Sequence, residues 1–207
     1  MLTSLPNLLT LSRIVAIPAL IATFYMASPL GNWLALAIFV AAAITDWLDG
    51  YLARTMNEVT GLGRFLDPIA DKLLVAATLM MLVYVDRIGY WSILPAIVIM
   101  CREIMVSGLR EFLAELRVRV PVSRLAKWKT MVQMLALCFL IVDDAAGETL
   151  PVREIGIAGI WIAALLTLYT GYDYMKAGLR YVTAEDAADP AAAEPPAGDT
   201  GPRGETD

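Results

Sequence analysis

The sequence predicts an all-α integral membrane protein, with six transmembrane helices preceded by a short N-terminal interfacial helix. Of the 207 residues, 58% are hydrophobic, and the mean hydropathy is +0.63. Soluble domains are nearer about 45–50% apolar. Long apolar runs recur along the chain, and most approach the roughly 20 residues that span the hydrocarbon core of a bilayer. These observations exclude an ordinary soluble domain.

The chain divides into three predicted parts. Residues 1–13 are too short to span, and their leucines recur at helical spacing beside polar side chains, which predicts an interfacial helix. Residues 14–180 hold the six spans. Residues 181–207 form an acidic tail rich in Ala, Pro and Gly, a composition that predicts disorder. The six predicted spans cover residues 14–27, 33–54, 63–85, 91–113, 125–142 and 152–174.

The placement of basic residues predicts the orientation. The chain has 16 Lys and Arg residues, and only Arg87 and Arg153 belong to the loops on one side of the predicted bundle. Cytoplasmic segments carry the excess of positive charge in membrane proteins. We therefore expect both termini in the cytoplasm. The net charge of −5 does not contradict this, because much of the acid lies in the tail.

Four aspartates lie where the second predicted span ends and the third begins. Asp46 and Asp49 are three residues apart, and Asp67 and Asp71 are four apart, so each pair shares one helical face. Four carboxylates this close to a membrane repel one another without a counter-charge. Hard oxygen ligands favour Mg²⁺, Mn²⁺ or Ca²⁺, and two ions about 3.5–4 Å apart would suit an in-line phosphoryl displacement. The alternative is a set of ordinary helix-end charges at a cytosolic boundary.

The chain has no histidine and two cysteines, Cys101 and Cys138. Imidazole chemistry is therefore excluded, and a general base must be Asp, Glu, Lys, Tyr or Cys. Both cysteines lie in apolar segments, which predicts buried free thiols rather than a disulfide or a metal pair.

Basic residues recur on the fourth and fifth predicted spans, near the same end as the aspartates. Arg102 and Arg110 are eight residues apart, which places them on roughly one helical face, and Lys127 and Lys129 begin the fifth span. Because arginine matches a phosphate bidentately, this pattern favours a pocket for an anionic substrate. The alternative is positive charge that flanks the membrane boundary, combined with internal ion pairs.

The spacing D-x2-D-G-x2-A-R-x8-G-x3-D-x3-D runs from Asp46 to Asp71. It resembles the signature of the CDP-alcohol phosphatidyltransferase family, with every fixed position present. The segments NLLTLSR, LGRFLDPIADK, CREIMVSGLREFLAEL and KWKTMVQM extend the resemblance over residues 5–175, and they are most similar to bacterial members that use glycerol 3-phosphate. Cys101 and Gly108 stand where alanine is more usual, which leaves the charged positions intact.

The resemblance implies transfer of a phosphatidyl group from CDP-diacylglycerol to sn-glycerol 3-phosphate, with phosphatidylglycerophosphate and CMP as products. It implies two divalent ions, Mg²⁺ or Mn²⁺, and a general base, Asp71, for the acceptor hydroxyl. The implied metal ligands are Asp46, Asp49, Asp67 and Asp71. The residues expected to contact the CDP group are Asp46, Asp49, Gly50, Arg54, Asn7, Thr60 and Arg64. Those expected to hold the acceptor phosphate are Arg102, Arg110 and Lys127.

The resemblance also implies a homodimer in the bacterial inner membrane, with its active site on the cytosolic side and no nucleic-acid partner. Three alternatives stay open. The same chemistry could use inositol phosphate, serine or phosphatidylglycerol as acceptor, although an uncharged acceptor would not need two buried arginines. A transporter would usually carry its carboxylates near the midplane of repeated halves. A membrane protein without chemistry would not explain the spacing of the four aspartates.

Overall fold

The computed structural model describes residues 5–26, 28–56, 61–115, 124–147 and 150–186, which fold into a helical bundle. Two 3₁₀ turns, Tyr90–Ser92 and Asp143–Ala146, precede the fourth long helix and follow the fifth. The long helices are α1 (Leu5–Phe24), α2 (Pro29–Met56), α3 (Gly61–Tyr84), α4 (Ile93–Glu115), α5 (Arg124–Val142) and α6 (Val152–Asp186).

Four helical segments in the described part of the chain are long and apolar enough to cross a membrane. They are Pro29–Asp46, Tyr90–Ala114, Leu125–Val142 and Val152–Lys176. The apolar stretch of α1, Leu8–Phe24, is shorter. The protein is therefore an all-helical membrane protein, in which length and composition support four of the six predicted spans.

The N-terminal boundary differs from the prediction. Residues 5–24 form one continuous helix, so no separate helix ends at residue 13. The reason is that a single buried face, which includes Thr10, Arg13, Leu20 and Phe24, runs through this position. That face packs against α2 and α3 along the helix. Residues 1–4 lie outside the described residues.

The C-terminal boundary also differs. Helix α6 continues to Asp186, so the predicted start of a disordered tail at residue 181 falls inside a helix. The sequence contains no Gly or Pro between Tyr181 and Pro190, and alanine and glutamate are good helix formers. The prediction for residues 187–207 lies outside the described residues.

Helices α5 and α6 approach each other closely at two glycines. A Cβ atom added at Gly156 would lie 2.6 Å from Cγ of Leu140, and one added at Gly159 would lie 2.7 Å from Cβ of Ala136. Small residues let membrane helices approach to such distances. The two glycines therefore allow α6 to pack closely against α5.

The two cysteines are free, as predicted, but their burial differs from the prediction. Cys101 is exposed on α4, and Cys138 is partly buried on α5. An apolar neighbourhood in the sequence does not reveal which helical face points inward, because in a membrane protein both faces can be apolar.

Arg87 joins three helices at one end of the bundle. Its Nε lies 3.2 Å from Oδ2 of the buried Asp143. Its Nη1 donates to the carbonyl of Ile141 at 2.6 Å, and its Nη2 donates to Oδ1 of Asn32 at 2.8 Å. We call these four residues the Arg87 network. Because the guanidinium nitrogens of Arg87 bind acceptors in other elements, the network holds the end of α3 to α2 and α5.

Candidate active site

The carboxylate site lies at the other end of the bundle. Asp46 is about four turns beyond Asn32 on α2, or roughly 21 Å along the helix axis. Asp46 of α2 lies close enough to Asp71 of α3 for the two carboxylates to repel each other. The structure therefore places two of the four predicted metal ligands within electrostatic range of each other, on two helices that both pack against α1. Asp46 is half-exposed and Asp71 is partly buried.

The other two aspartates belong to the same two helices. Asp49 is one turn from Asp46 on α2, and Asp67 is one turn from Asp71 on α3, so the backbone places each pair on one helical face. The side chains of Asp49 and Asp67 fall outside the described part of the chain. Their role as ligands stays a prediction.

Arg13 contributes a buried positive charge to the same place. Its side chain is 1% exposed, and its Nη1 pairs with Oδ1 of Asp46. Arg13 also acts electrostatically on Asp71. The sequence patterns above predicted no role for this residue. The sequence feature that could have indicated a role is an arginine within an apolar helix, because ionisable residues in membrane segments are usually functional.

A small cavity of about 40 Å³ adjoins Asp71. Its polar lining includes Lys72, Glu103, Lys129 and Gln133, which come from α3, α4 and α5. The ammonium group of Lys129 donates to Oε1 of Glu103. Oε1 of Gln133 is buried and has no hydrogen-bond partner among the described residues. The cavity therefore carries charge of both signs beside the predicted general base.

The structure distinguishes between the two lysines that begin α5. Lys129 is 4% exposed and lines the cavity, whereas Lys127 is exposed. Two residues correspond to about 200° of helix rotation, so the two side chains point in nearly opposite directions. Of these two lysines, Lys129 therefore lies at the cavity beside Asp71, and the predicted Lys127 lies on the opposite face of α5.

Arg102 and Arg110 both contact α6, as expected for residues eight apart on one helix. Arg102 is 8% exposed, and its Nη2 donates to Oγ1 of Thr170 at 2.9 Å. Arg110 is exposed, and its Nη2 donates to the hydroxyl of Tyr174 at 3.3 Å. The ring of Tyr174 also lies 5.7 Å from the Arg110 guanidinium carbon.

Helix α6 approaches Arg102 closely as well. A Cβ atom added at Gly171 would lie 3.0 Å from Cγ and 3.2 Å from Nε of Arg102. Arg102 Nε has no hydrogen-bond partner among the described residues. Both arginines thus pack against α6. No sequence pattern predicted their partners Thr170 and Tyr174.

For four of the predicted nucleotide-binding residues, the structure shows which helix each belongs to but not where its side chain lies. Gly50 and Arg54 belong to the last part of α2, Arg64 to the first turn of α3, and Asn7 to the beginning of α1. The side chains at these positions fall outside the described part of the chain, and Thr60 lies outside the described residues altogether.

The donors at this site fit a hard divalent cation. Asp46 and Asp71 supply carboxylate oxygens, the ligands that Mg²⁺ and Mn²⁺ prefer. The sequence offers no imidazole to compete. Among the described side chains, no group of three or more such ligands forms a complete metal site. Asp49 and Asp67 remain the predicted further ligands.

Residues 3–169 match the sequence model of the CDP-alcohol phosphatidyltransferases. The chain therefore belongs to the CDP-alcohol phosphatidyltransferase family, a class of membrane transferases that generally depend on a divalent metal.

The chain is also similar to individual curated enzymes over most of its length. A CDP-diacylglycerol–glycerol-3-phosphate 3-phosphatidyltransferase of Rickettsia bellii is 49% identical, over 86% of this chain and 97% of the relative. The enzyme of the same name from Cereibacter sphaeroides is 38% identical, over 88% and 98%. A cardiolipin synthase (CMP-forming) of Oryza sativa is 43% identical, over 84% of this chain and 57% of the relative.

Proposed function

We propose that this enzyme transfers the phosphatidyl group of CDP-diacylglycerol to sn-glycerol 3-phosphate. The observation that carries the proposal is the juxtaposition of Asp71 with the buried cation Lys129 in one cavity, where Glu103 also pairs with Arg102. Family membership supports the reaction type. The names of the bacterial relatives support the acceptor.

In the proposed reaction, a hydroxyl oxygen of glycerol 3-phosphate attacks the phosphatidyl phosphorus. The new O–P bond replaces the bond to CMP, which leaves with its electron pair. Asp46, Asp49, Asp67 and Asp71 would hold Mg²⁺ or Mn²⁺, which when bound neutralises the diphosphate and the leaving group. Asp71 accepts the proton of the attacking hydroxyl, a role for which the sequence offers no histidine.

The acceptor phosphate is held by the basic residues on α4 and α5. Arg102 and Arg110 present guanidinium groups along one face of α4, and Thr170 and Tyr174 of α6 fix their positions. We assign this role to Lys129 and not to the predicted Lys127, because of these two lysines it is Lys129 that lines the cavity beside Asp71. A dianionic phosphate would give the buried cations Arg102 and Lys129 an anionic ligand.

The CDP group lies between α1, α2 and α3. The family motif supports contacts from Gly50 and Arg54, with Asn7, Thr60 and Arg64 as further contacts. Glycine at position 50 lets a phosphate approach the helix backbone, because it carries no side chain. The acyl chains of the donor remain in the bilayer throughout.

The proposed setting is the bacterial inner membrane, with both termini and the carboxylate site on the cytoplasmic side. The distribution of Lys and Arg supports this orientation. The bacterial sources of the relatives support the membrane. A homodimer is part of the proposal and rests on the family resemblance alone.

A transfer assay tests the proposal. Full-length protein in detergent receives CDP-diacylglycerol, Mg²⁺ and labelled glycerol 3-phosphate, and both products are measured. Asp71→Asn should lower kcat by at least about a hundredfold, since it removes the general base. Asp86→Asn is the matched control, because Asp86 is exposed in the loop after α3 and asparagine also tolerates its positive φ of 58°.

Two results would contradict the proposal. CMP release with phosphatidylglycerol, and none with glycerol 3-phosphate, would assign the chain to cardiolipin synthesis instead. Absence of product with inositol phosphate and serine as well, from folded protein that does not bind CDP-diacylglycerol, would reject the transferase reaction.

A further inference from the structure

Arg13 is a fixed charge, which α1 contributes to a site otherwise built from α2 and α3. Its guanidinium pairs with Asp46 and acts on Asp71, and its side chain is almost fully buried. Helix α1 packs against both α2 and α3. The carboxylate site therefore contains a positive charge that the aspartate motif does not include.

This charge is held in place by packing. Thr10 and Leu20 are buried on the same face of α1, one on each side of Arg13. Removing a guanidinium from such a position would require α1 to separate from its neighbours, and burying it without an anion would carry a large desolvation penalty. Arg13 and Asp46 are therefore a structural unit, unlike an ion pair of two exposed side chains.

We propose that Arg13 is a built-in counter-ion that shares with the divalent metal the neutralisation of Asp46, and that it thereby weakens metal binding. The inference rests on the proposed function, which makes Asp46 a metal ligand. A positive charge close to a cation site lowers the affinity for the cation. Since coupling between two sites is reciprocal, loss of Arg13 tightens metal binding and makes folding more dependent on metal.

The test measures binding of Mn²⁺ alone to the full-length protein in detergent after treatment with a chelator. Arg13→Gln removes the charge. Arg87→Gln is the matched control, because Arg87 is the partner of the buried Asp143 at the opposite end of the bundle. The readouts are the Kd for Mn²⁺ and the midpoint of thermal unfolding with and without Mn²⁺.

For Arg13→Gln we expect the Kd for Mn²⁺ to fall at least about fivefold, within the usual range of coupling between sites. In the absence of Mn²⁺, its unfolding midpoint should be lower than that of the wild type. Addition of Mn²⁺ should raise the midpoint of Arg13→Gln by more than it raises that of the wild type. Arg87→Gln should lower the midpoint equally in both buffers and leave the Kd unchanged. Arg13→Lys, which keeps the charge, should bind Mn²⁺ like the wild type.

Several results would overturn the inference. An unchanged or higher Kd for Mn²⁺ in Arg13→Gln would reject the inference. So would a fall in the Kd for Mn²⁺ in Arg13→Lys that equals the fall in Arg13→Gln. If Arg13→Gln folds only with Mn²⁺, the inference is supported in its strongest form. If it folds in neither buffer, the metal does not replace the arginine and the inference fails. Failure of the wild type to bind Mn²⁺ would instead reject the proposed metal site.

Discussion

Lys129 of α5 donates a hydrogen bond to the carboxylate of Glu103 on α4, inside the cavity that Asp71 also lines. Nη1 of Arg102 lies 3.4 Å from the same carboxylate oxygen. One acidic side chain therefore holds two of the cations proposed to bind the acceptor phosphate. It also compensates the charge of a lysine that is almost fully buried.

Glu103→Gln should destabilise the protein by about 3 kcal/mol, because it leaves the buried ammonium of Lys129 without an anion. For a chain of this size the unfolding midpoint should fall by roughly 6–12 °C. Thermal unfolding in detergent measures this change. The control is Glu111→Gln, an exposed carboxylate on the same helix. The double variant Glu103→Gln/Lys129→Met should regain much of the loss, and equal effects of the two single Gln variants would contradict the prediction.

Lys129→Met should lower kcat/KM for glycerol 3-phosphate by about 10- to 100-fold, the value of one hydrogen bond to a charged group. Lys127→Met should change it less than about twofold, because Lys127 lies on the exposed face of α5. Steady-state kinetics with both variants, each checked for folding by its elution profile, compare them directly. Similar losses in the two variants would show that both lysines meet the acceptor.

Tyr174→Phe should raise the KM for glycerol 3-phosphate about three- to tenfold and leave the KM for CDP-diacylglycerol unchanged. The substitution keeps the ring beside Arg110 and removes only the hydroxyl that accepts its hydrogen bond. Tyr172→Phe, at an exposed position on the same helix, serves as the control. An equal rise in both KM values would indicate a general structural effect and no role in positioning Arg110.

Gly156→Ala should destabilise the bundle by about 1–3 kcal/mol, because the added methyl group overlaps Leu140 of α5. Gly108→Ala should leave the stability unchanged or raise it by up to about 1 kcal/mol, since a Cβ there meets nothing within 4 Å. Unfolding midpoints measured side by side give the comparison. A Gly156→Ala variant as stable as Gly108→Ala would show that α5 and α6 separate at little cost.

The parts of this protein that local sequence patterns encode were predicted well. Hydropathy identified the helices, and the spacing of the aspartates identified which of them share a face of α2 or of α3, because spacing on a helix determines which residues lie on one face. The helix ends were less predictable. Residues 13 and 181 looked like boundaries by composition, but neither interrupts the helix at that point.

Contacts between helices distant in sequence were not predictable. Arg13 meets Asp46 across 33 residues, and Arg102 meets Thr170 across 68. No local periodicity specifies which helix packs against another. The choice between Lys127 and Lys129 has the same origin, because the sequence places them on opposite faces of α5 without showing which face points toward Asp71.

The distance between the Arg87 network and the carboxylate site has a consequence for the bilayer. Roughly 21 Å separates Asn32 from Asp46 along α2, a large part of the hydrocarbon thickness of about 30 Å. Under the proposed function, a diphosphate bound at Asp46 would therefore lie at one leaflet. Each headgroup exchanged there would then alter the lipid composition and surface charge of that leaflet alone.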